Sequence, residues 1–216
     1  MSRIFVLSFA IVVFSGVCFA GEIKRAKVGD YEYSYYVETN GTAVIGRVRN
    51  YSELEQFPGS NDPDQLKFLS SLFAITPSPK GRLVVPSSID GHRVSAVGLV
   101  AFAGCGDLET VVLPEGIEYI GEGSFLACSN LVDLTLPISL KEIREAAFRS
   151  CARLEKLVLT PNIKEIGESA LYGCEILNFI RIPASLEKSG GKRGLCEGLK
   201  SLRSVYFEDG VTHISS

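Results

Sequence analysis

The stretch that decides the fold runs Leu108-Glu-Thr-Val-Val-Leu-Pro-Glu-Gly-Ile-Glu-Tyr-Ile-Gly-Glu-Gly-Ser-Phe-Leu-Ala-Cys-Ser-Asn130. Its apolar positions are Leu108, Val111, Leu113, Ile117, Ile120, Phe125 and Cys128. Val111 and Leu113 alternate as a short strand with one buried face requires. Pro114 lacks an N–H and closes that strand. Ile117 and Ile120 form a second short apolar pair, and Gly121 relaxes the backbone before the turn carrying Phe125 and Cys128. The unit offers no run of about twelve residues at helical period, so long helices are not expected.

The same pattern recurs on both sides of this stretch. Cysteines fall at 105, 128, 151 and 174, each 23 residues after the last. Leucines at 108, 131, 154 and 177 keep the same spacing, as do Phe102, Phe125, Phe148 and Leu171. A Leu/Ile-Pro step returns as Leu113-Pro114, Leu136-Pro137 and Ile182-Pro183, slipped once to Leu159-Thr160-Pro161. The unit from Leu177 to Ser201 is longer by an inserted loop at 188–194, which places Leu199 in the cysteine column and Cys196 in the phenylalanine column. Each unit can bury its apolar edge only against a neighbour, which is the physics of a solenoid. Leu202 opens a last unit with Val205, Phe207, Val211 and Ile214, and the sequence stops at Ser216, partway through it. An uncapped end of that kind is open to self-association.

Units of the form Leu-x-x-Val/Leu-x-Leu-Pro, Ile-x-x-Ile-Gly and Ala-Phe-x-x-Cys-x-x-Leu resemble the BspA-type (treponemal) leucine-rich repeat, over Arg82 to Ser216. The resemblance implies a right-handed curved α/β solenoid of short strands and short turns or helices. It also implies a secreted or surface-exposed protein that binds host or partner proteins, with motif positions that serve packing and no catalytic residues. The slipped proline at 161, the insertion and the missing final half-repeat depart from the family pattern.

Outside the repeats the chain reads differently. Residues 1–20 combine Arg3, an apolar run from Ile4 to Phe14 and Cys18-Phe19-Ala20, as in a secretory signal cleaved before Gly21. The run is too short to span a bilayer, and Val17 stands where a lipoprotein cysteine takes a small residue. A secreted, extracellular or cell-surface location follows, with the periplasm as an alternative, and no membrane span remains after cleavage. Residues 21–80 read as a capping segment. Tyr31-Glu-Tyr-Ser-Tyr-Tyr-Val37, the Asn40-Gly41 turn and Thr42–Val48 make a β-hairpin that shields the first coil. Asp62-Pro63-Asp64-Gln65 would start a short helix over Leu66–Phe73 inside an insertion at 49–80. Residues 81–216 are the repeat domain.

Composition narrows the function. The 216 residues hold 22 Lys+Arg against 25 Asp+Glu, a net charge of −3, with 2 His, 6 Cys and no Trp. Without a basic excess, nucleic acid is not an expected partner. His92 and His213 stand in unrelated parts of different repeats, with no triad-like or ligand-like neighbour, so no catalytic residue, metal or cofactor is expected. Cys105, Cys128, Cys151 and Cys174 could be disulfides, a metal site or buried thiols. Leu199 replacing a member of the column favours a small hydrophobe, hence a structural core ladder of thiols. Asn40-Gly-Thr and Asn50-Tyr-Ser are glycosylation sequons that matter only in a eukaryotic secretory route, and the basic loop at 188–193 reads as a solvated insertion.

The candidate binding residues are those flanking the middle apolar position of each strand, which must point outward. They are Arg82/Val84, Thr110/Val112, Asp133/Thr135, Lys156/Val158, Phe179/Arg181 and Ser204/Tyr206. Aromatic, Arg and small polar residues together suit a protein-binding patch, whereas a solvated sheet filled by β-propensity would look similar. The expected protein is therefore non-enzymatic and binds a host or envelope protein. The alternatives are a self-associating envelope module and, third, a carbohydrate-associated accessory, which lacks an aromatic platform or carboxylate pair.

Overall fold

A computed structural model describes residues 23–46, 74–190 and 194–211. The signal segment, the Leu66–Phe73 helix, the Asn50 sequon, His213 and Ile214 lie outside the described residues.

Among the described residues β1 (Lys24–Val28), β2 (Tyr31–Val37) and β3 (Ala43–Ile45) form an antiparallel meander. The turn between β2 and β3 is held by Asn40, whose Oδ1 accepts from the Thr42 N–H at 2.9 Å and the Thr42 hydroxyl at 2.8 Å. β4 (Ile75–Thr76) pairs with the same edge of β2 that β3 uses, opposite β1, setting Ile75 beside Tyr33. Next come β5 (Gly81–Val84), β6 (Ser88–Ile89) and β7 (His92–Val97). β3 runs parallel to β7, so the hairpin extends the sheet of the repeats, and Tyr33, Tyr35 and Ile45 join the same core as Val94 and Val97.

From there the coils contribute two rows of short strands among the described residues. β8 (Leu108–Val112), β10 (Asp133–Thr135), β12 (Lys156–Val158), β14 (Phe179–Ile182) and β16 (Ser204–Phe207) line one side. β9 (Tyr119–Ile120), β11 (Glu142–Ile143), β13 (Glu165–Ile166) and β15 (Lys188–Ser189) line a second. The second side is one parallel run, β7-β9-β11-β13-β15, continued by β3, β2 and β1. The first side is two sheets, β5-β8-β10 and β12-β14-β16.

The third side carries the phenylalanine and cysteine columns. Phe102, Phe125 and Phe148 are fully buried and stack at 5.1 and 5.5 Å between centroids. Cys128, Cys151 and Cys174 each point a thiol at the phenylalanine carbonyl of the preceding coil, at 3.1, 3.2 and 3.3 Å. All four ladder cysteines are buried free thiols, and Cys196 is a free thiol at the surface.

These turns correct the α part of the expected α/β solenoid. Among the described residues there is no helix, and the chain is a β-solenoid of about five turns. The reason is where the amides go. Phe125 N–H donates to Ala147 in the next coil at 2.8 Å, Leu126 to Gly123 in its own, Ala127 to Arg149 in the next and Cys128 to Phe125 in its own. An α-helix would need all of these amides for i−4 carbonyls, and every second one is already bonded to the neighbouring coil. Left-handed backbone at Val100, Gly123, Ala146 and Ser169, and again at Gly104, Ala127, Ser150 and Gly173, breaks any helical run once more.

Glycine is needed where coils touch. Gly98, Gly121, Gly167 and Gly190 follow the second strand of their coils, while Arg144 stands in that column at coil three. A Cβ on Gly167 would overlap the Glu145 amide nitrogen and lie 2.6 Å from the Arg144 carbonyl carbon. Both are backbone atoms, so nothing can swing aside. Gly167→Ala should cost about 3 kcal/mol, the upper end of ordinary overpacking. Gly106→Ala, with its nearest neighbour at 3.6 Å, should be close to neutral by the same denaturant titration.

Candidate protein-binding face

The outward pairs occupy neighbouring rows. In the first sheet Arg82, Thr110 and Asp133 align, as do Val84, Val112 and Thr135. In the second, Lys156, Phe179 and Ser204 align beside Val158, Arg181 and Tyr206. Their inward neighbours Leu83, Val111, Leu157 and Ile180 are buried, which is why the flanking residues turn outward.

The two halves differ in chemistry. Val84 (57% exposed) is the most open apolar member of the first, with Thr110 and Val112 half-buried and Asp133 and Thr135 exposed. The second half holds the aromatic residues. Val158 and Tyr206 are each 52% exposed, and Phe179 is half-buried between Lys156 and Ser204. Arg181 lies 5.6 Å from the Tyr206 ring centroid and pairs with Glu208 at 3.0 Å. A guanidinium fixed against an aromatic ring loses less freedom when a partner arrives. Ile138, 58% exposed just after Pro137, adds apolar surface beside this face. It was missed because the strand alternation covers only Leu131–Leu136, and Ile138 belongs to the corner that follows.

The opposite sheet satisfies its own charges. Glu118 binds Lys141 at 2.8 Å and Arg93 at 3.7 Å, and Lys141 first, by its hydrogen bond, holds the Glu118 carboxyl below its ordinary range. Lys164 meets Glu187 at 3.4 Å, and Lys188 meets Glu165 at 3.9 Å. Arg144 lies 4.4 Å from the Tyr119 ring centroid and bonds Glu142 at 3.2 Å, beside a hollow lined by Glu122, Glu145, Glu165 and Glu168. Among the described residues no group of three His, Cys, Asp or Glu side chains is placed to hold a metal ion. His92 joins the hairpin to the first coil, its Nδ1 lying 2.9 Å from the Gly41 carbonyl oxygen. No helix among the described residues is long and apolar enough to cross a membrane.

In the thiol column burial sets the chemistry. It pushes Cys174 up to about 12 from an ordinary 9.0, and Cys128 and Cys151 further, with neighbouring ladder thiols adding to the rise at both. Cys105 is also raised by burial, partly offset by a hydrogen bond with Ser78. Such thiols are poor nucleophiles and poor metal ligands, and they act as packing.

Comparison with known proteins agrees with this architecture. The chain is similar in structure to a leucine rich cell surface protein from Faecalibacterium prausnitzii A2-165, at 21% identity and a TM-score of 0.60, over 85% of this chain and 39% of that one. It therefore spans about two fifths of that protein's length. It is also similar to the Treponema pallidum leucine rich repeat protein, at 25% identity and a TM-score of 0.51, over 81% of this chain and 82% of the other. A leucine-rich repeat protein from Eubacterium ventriosum gives 17% identity and a TM-score of 0.54, over 88% and 45%. No curated protein matches the sequence. The model of the BspA type leucine rich repeat region matches residues 95–216 with 6 copies, more than half of the chain. Matched by this model over more than half its length, the chain belongs to the BspA type leucine rich repeat family.

Proposed function

We propose that this is a secreted or surface-exposed, non-enzymatic module that binds another protein through the outward face of its first-side strands. The observation that carries the reading is the β12-β14-β16 face, where Val158, Phe179 and Tyr206 stand at positions that packing does not require to be apolar, around a braced Arg181. Interface centres favour aromatic residues and Arg in this way. The opposite sheet, with its charges paired across coils, offers a partner less. In this reading residues 1–20 are a cleaved signal, residues 21–80 cap the first coil and residues 81–216 form a right-handed superhelix. That hand is the one parallel strands joined by crossovers nearly always take.

The test is capture with the chain from Gly21 onward, offered host matrix proteins and the producer's own envelope. Phe179→Ala combined with Arg181→Ala should weaken binding of the captured protein at least about tenfold while the melting curve stays sharp. Undiminished binding would place the site elsewhere.

A second reading, a self-associating envelope module, is favoured by Phe207. It is 52% exposed, whereas Leu113, Leu136, Leu159 and Ile182 in the same register are buried. Concentration-dependent sedimentation lost in Phe207→Ser would support it.

A further inference from the structure

We propose that the boundary between the coil of residues 131–153 and the next is a flexing joint, so that the strand face is two patches whose mutual angle can change. At the other boundaries the first-side strands are zipped by backbone bonds at both ends. Val132 N–H donates to Glu109, Asn178 to Glu155 and Arg203 to Asn178; at the far end Val85 donates to Val112, Leu113 to Thr135 and Leu159 to Arg181. At this boundary the two corresponding donors are Glu155 and Leu136, and neither N–H has a backbone acceptor across the gap. β10 and β12 form no ladder between them. Leu134, the core residue of β10, is only half-buried, while its counterparts Leu83, Val111, Leu157 and Ile180 are buried.

The same two coils are tight on their other sides. β11 and β13 pair in register, Glu142 with Glu165 and Ile143 with Ile166. The Phe148 N–H reaches Ala170 at 2.9 Å and Ser150 reaches Tyr172 at 2.8 Å. Backbone meets backbone at Gly167 and Glu145. The boundary is thus a wedge, closed along two sides and, along the strand face, bridged only at its far corner by two side-chain bonds, from the Thr160 hydroxyl to the Pro137 carbonyl at 3.2 Å and from the Asn162 amide to the Ile138 carbonyl at 2.9 Å. Rotation about the closed sides breaks no backbone–backbone bond on the strand face, only these two side-chain bonds, whereas every other described boundary would have to unzip its strands.

The experiment uses the chain from Gly21 in a Cys196→Ser background, with spin labels on exposed cysteines. One pair, Arg82→Cys with Ser204→Cys, spans the joint. The other, Lys27→Cys with Lys141→Cys, spans the unbroken sheet. Each covers five strand spacings, roughly 24 Å. Double electron–electron resonance should give a distance distribution at least about twice as broad across the joint. Amide exchange at Leu136 and Glu155 should be on the order of 100-fold faster than at Leu113, Leu159, Val132 and Asn178. Equal widths would overturn the joint even with fast exchange, because the gap would then be static. Protection of Leu136 and Glu155 equal to their counterparts would overturn it as well.

Discussion

Phe125→Ala should lower stability by about 3–5 kcal/mol, the cost of emptying a buried aromatic site. The ring is fully buried and lies between Phe102 and Phe148, with interplanar angles of 18° and 9°. Its loss removes transfer free energy and leaves both stacking partners facing a hole. The column cannot close over it, because each ring is fixed by its own turn and those turns are bonded coil to coil. For a chain of this size the midpoint of thermal unfolding should fall by roughly 10–15 °C. Coils touch only their neighbours, so a hole in the middle also weakens coupling between the two ends. Unfolding should then broaden or split into two steps. Val158→Ala, at an exposed site, should stay within about 0.5 kcal/mol of the parent. A shift of the same size for both variants would contradict the assignment of Phe125 to the core.

Alkaline unfolding is the second large effect. Cys128, Cys151 and Cys174 have folded pKa values raised above the ordinary 9.0, so the fold binds their protons more tightly than the unfolded chain does. The stabilisation this represents is complete below pH 9 and is lost as pH rises toward the folded values. Above pH 9 each thiol costs about 1.4 kcal/mol per pH unit, so the three together cost roughly 4 kcal/mol at pH 10. Tyr33, pushed up to about 12 first by burial and then by Tyr31, adds to the loss above pH 10. Urea midpoints measured from pH 7 to 10.5 should be flat to about pH 9 and then fall steeply. Cys151→Ala should remove about a third of the slope. A profile flat through pH 10 would mean that the thiols are oxidised or exposed.

The sequence revealed most about the positions that burial repeats. Leu108, Val111, Leu113, Ile117, Ile120, Phe125 and Cys128 recur at one period, and all are buried. The β2–β3 hairpin was legible because Asn40-Gly41 fixes its turn. The backbone of the turns was not legible. Val100, Ala127, Ala146, Ser150 and Ser169 hold left-handed backbone without glycine, so the punctuation that would have argued against a helix is absent from those copies. β1 escaped because only Ala26 of its five residues is buried, leaving little alternation to read. At the candidate face, alternation placed the outward pairs in their rows, since strand period alone fixes which way a side chain turns. It could not show that those rows belong to two sheets. That break comes from missing bonds at Leu136 and Glu155, where the residues themselves look ordinary.

Among the described residues these repeats are coils zipped through their turns, with no helix in them. Cross-hydrogen-bond scalar coupling at Phe125 tests this zipping most directly. Coupling is expected from the Phe125 amide nitrogen to the Ala147 carbonyl carbon, 22 residues ahead in the next coil. Coupling to the carbonyl of Gly121, four residues back, would mean that the turn is an α-helix and would contradict the zipping.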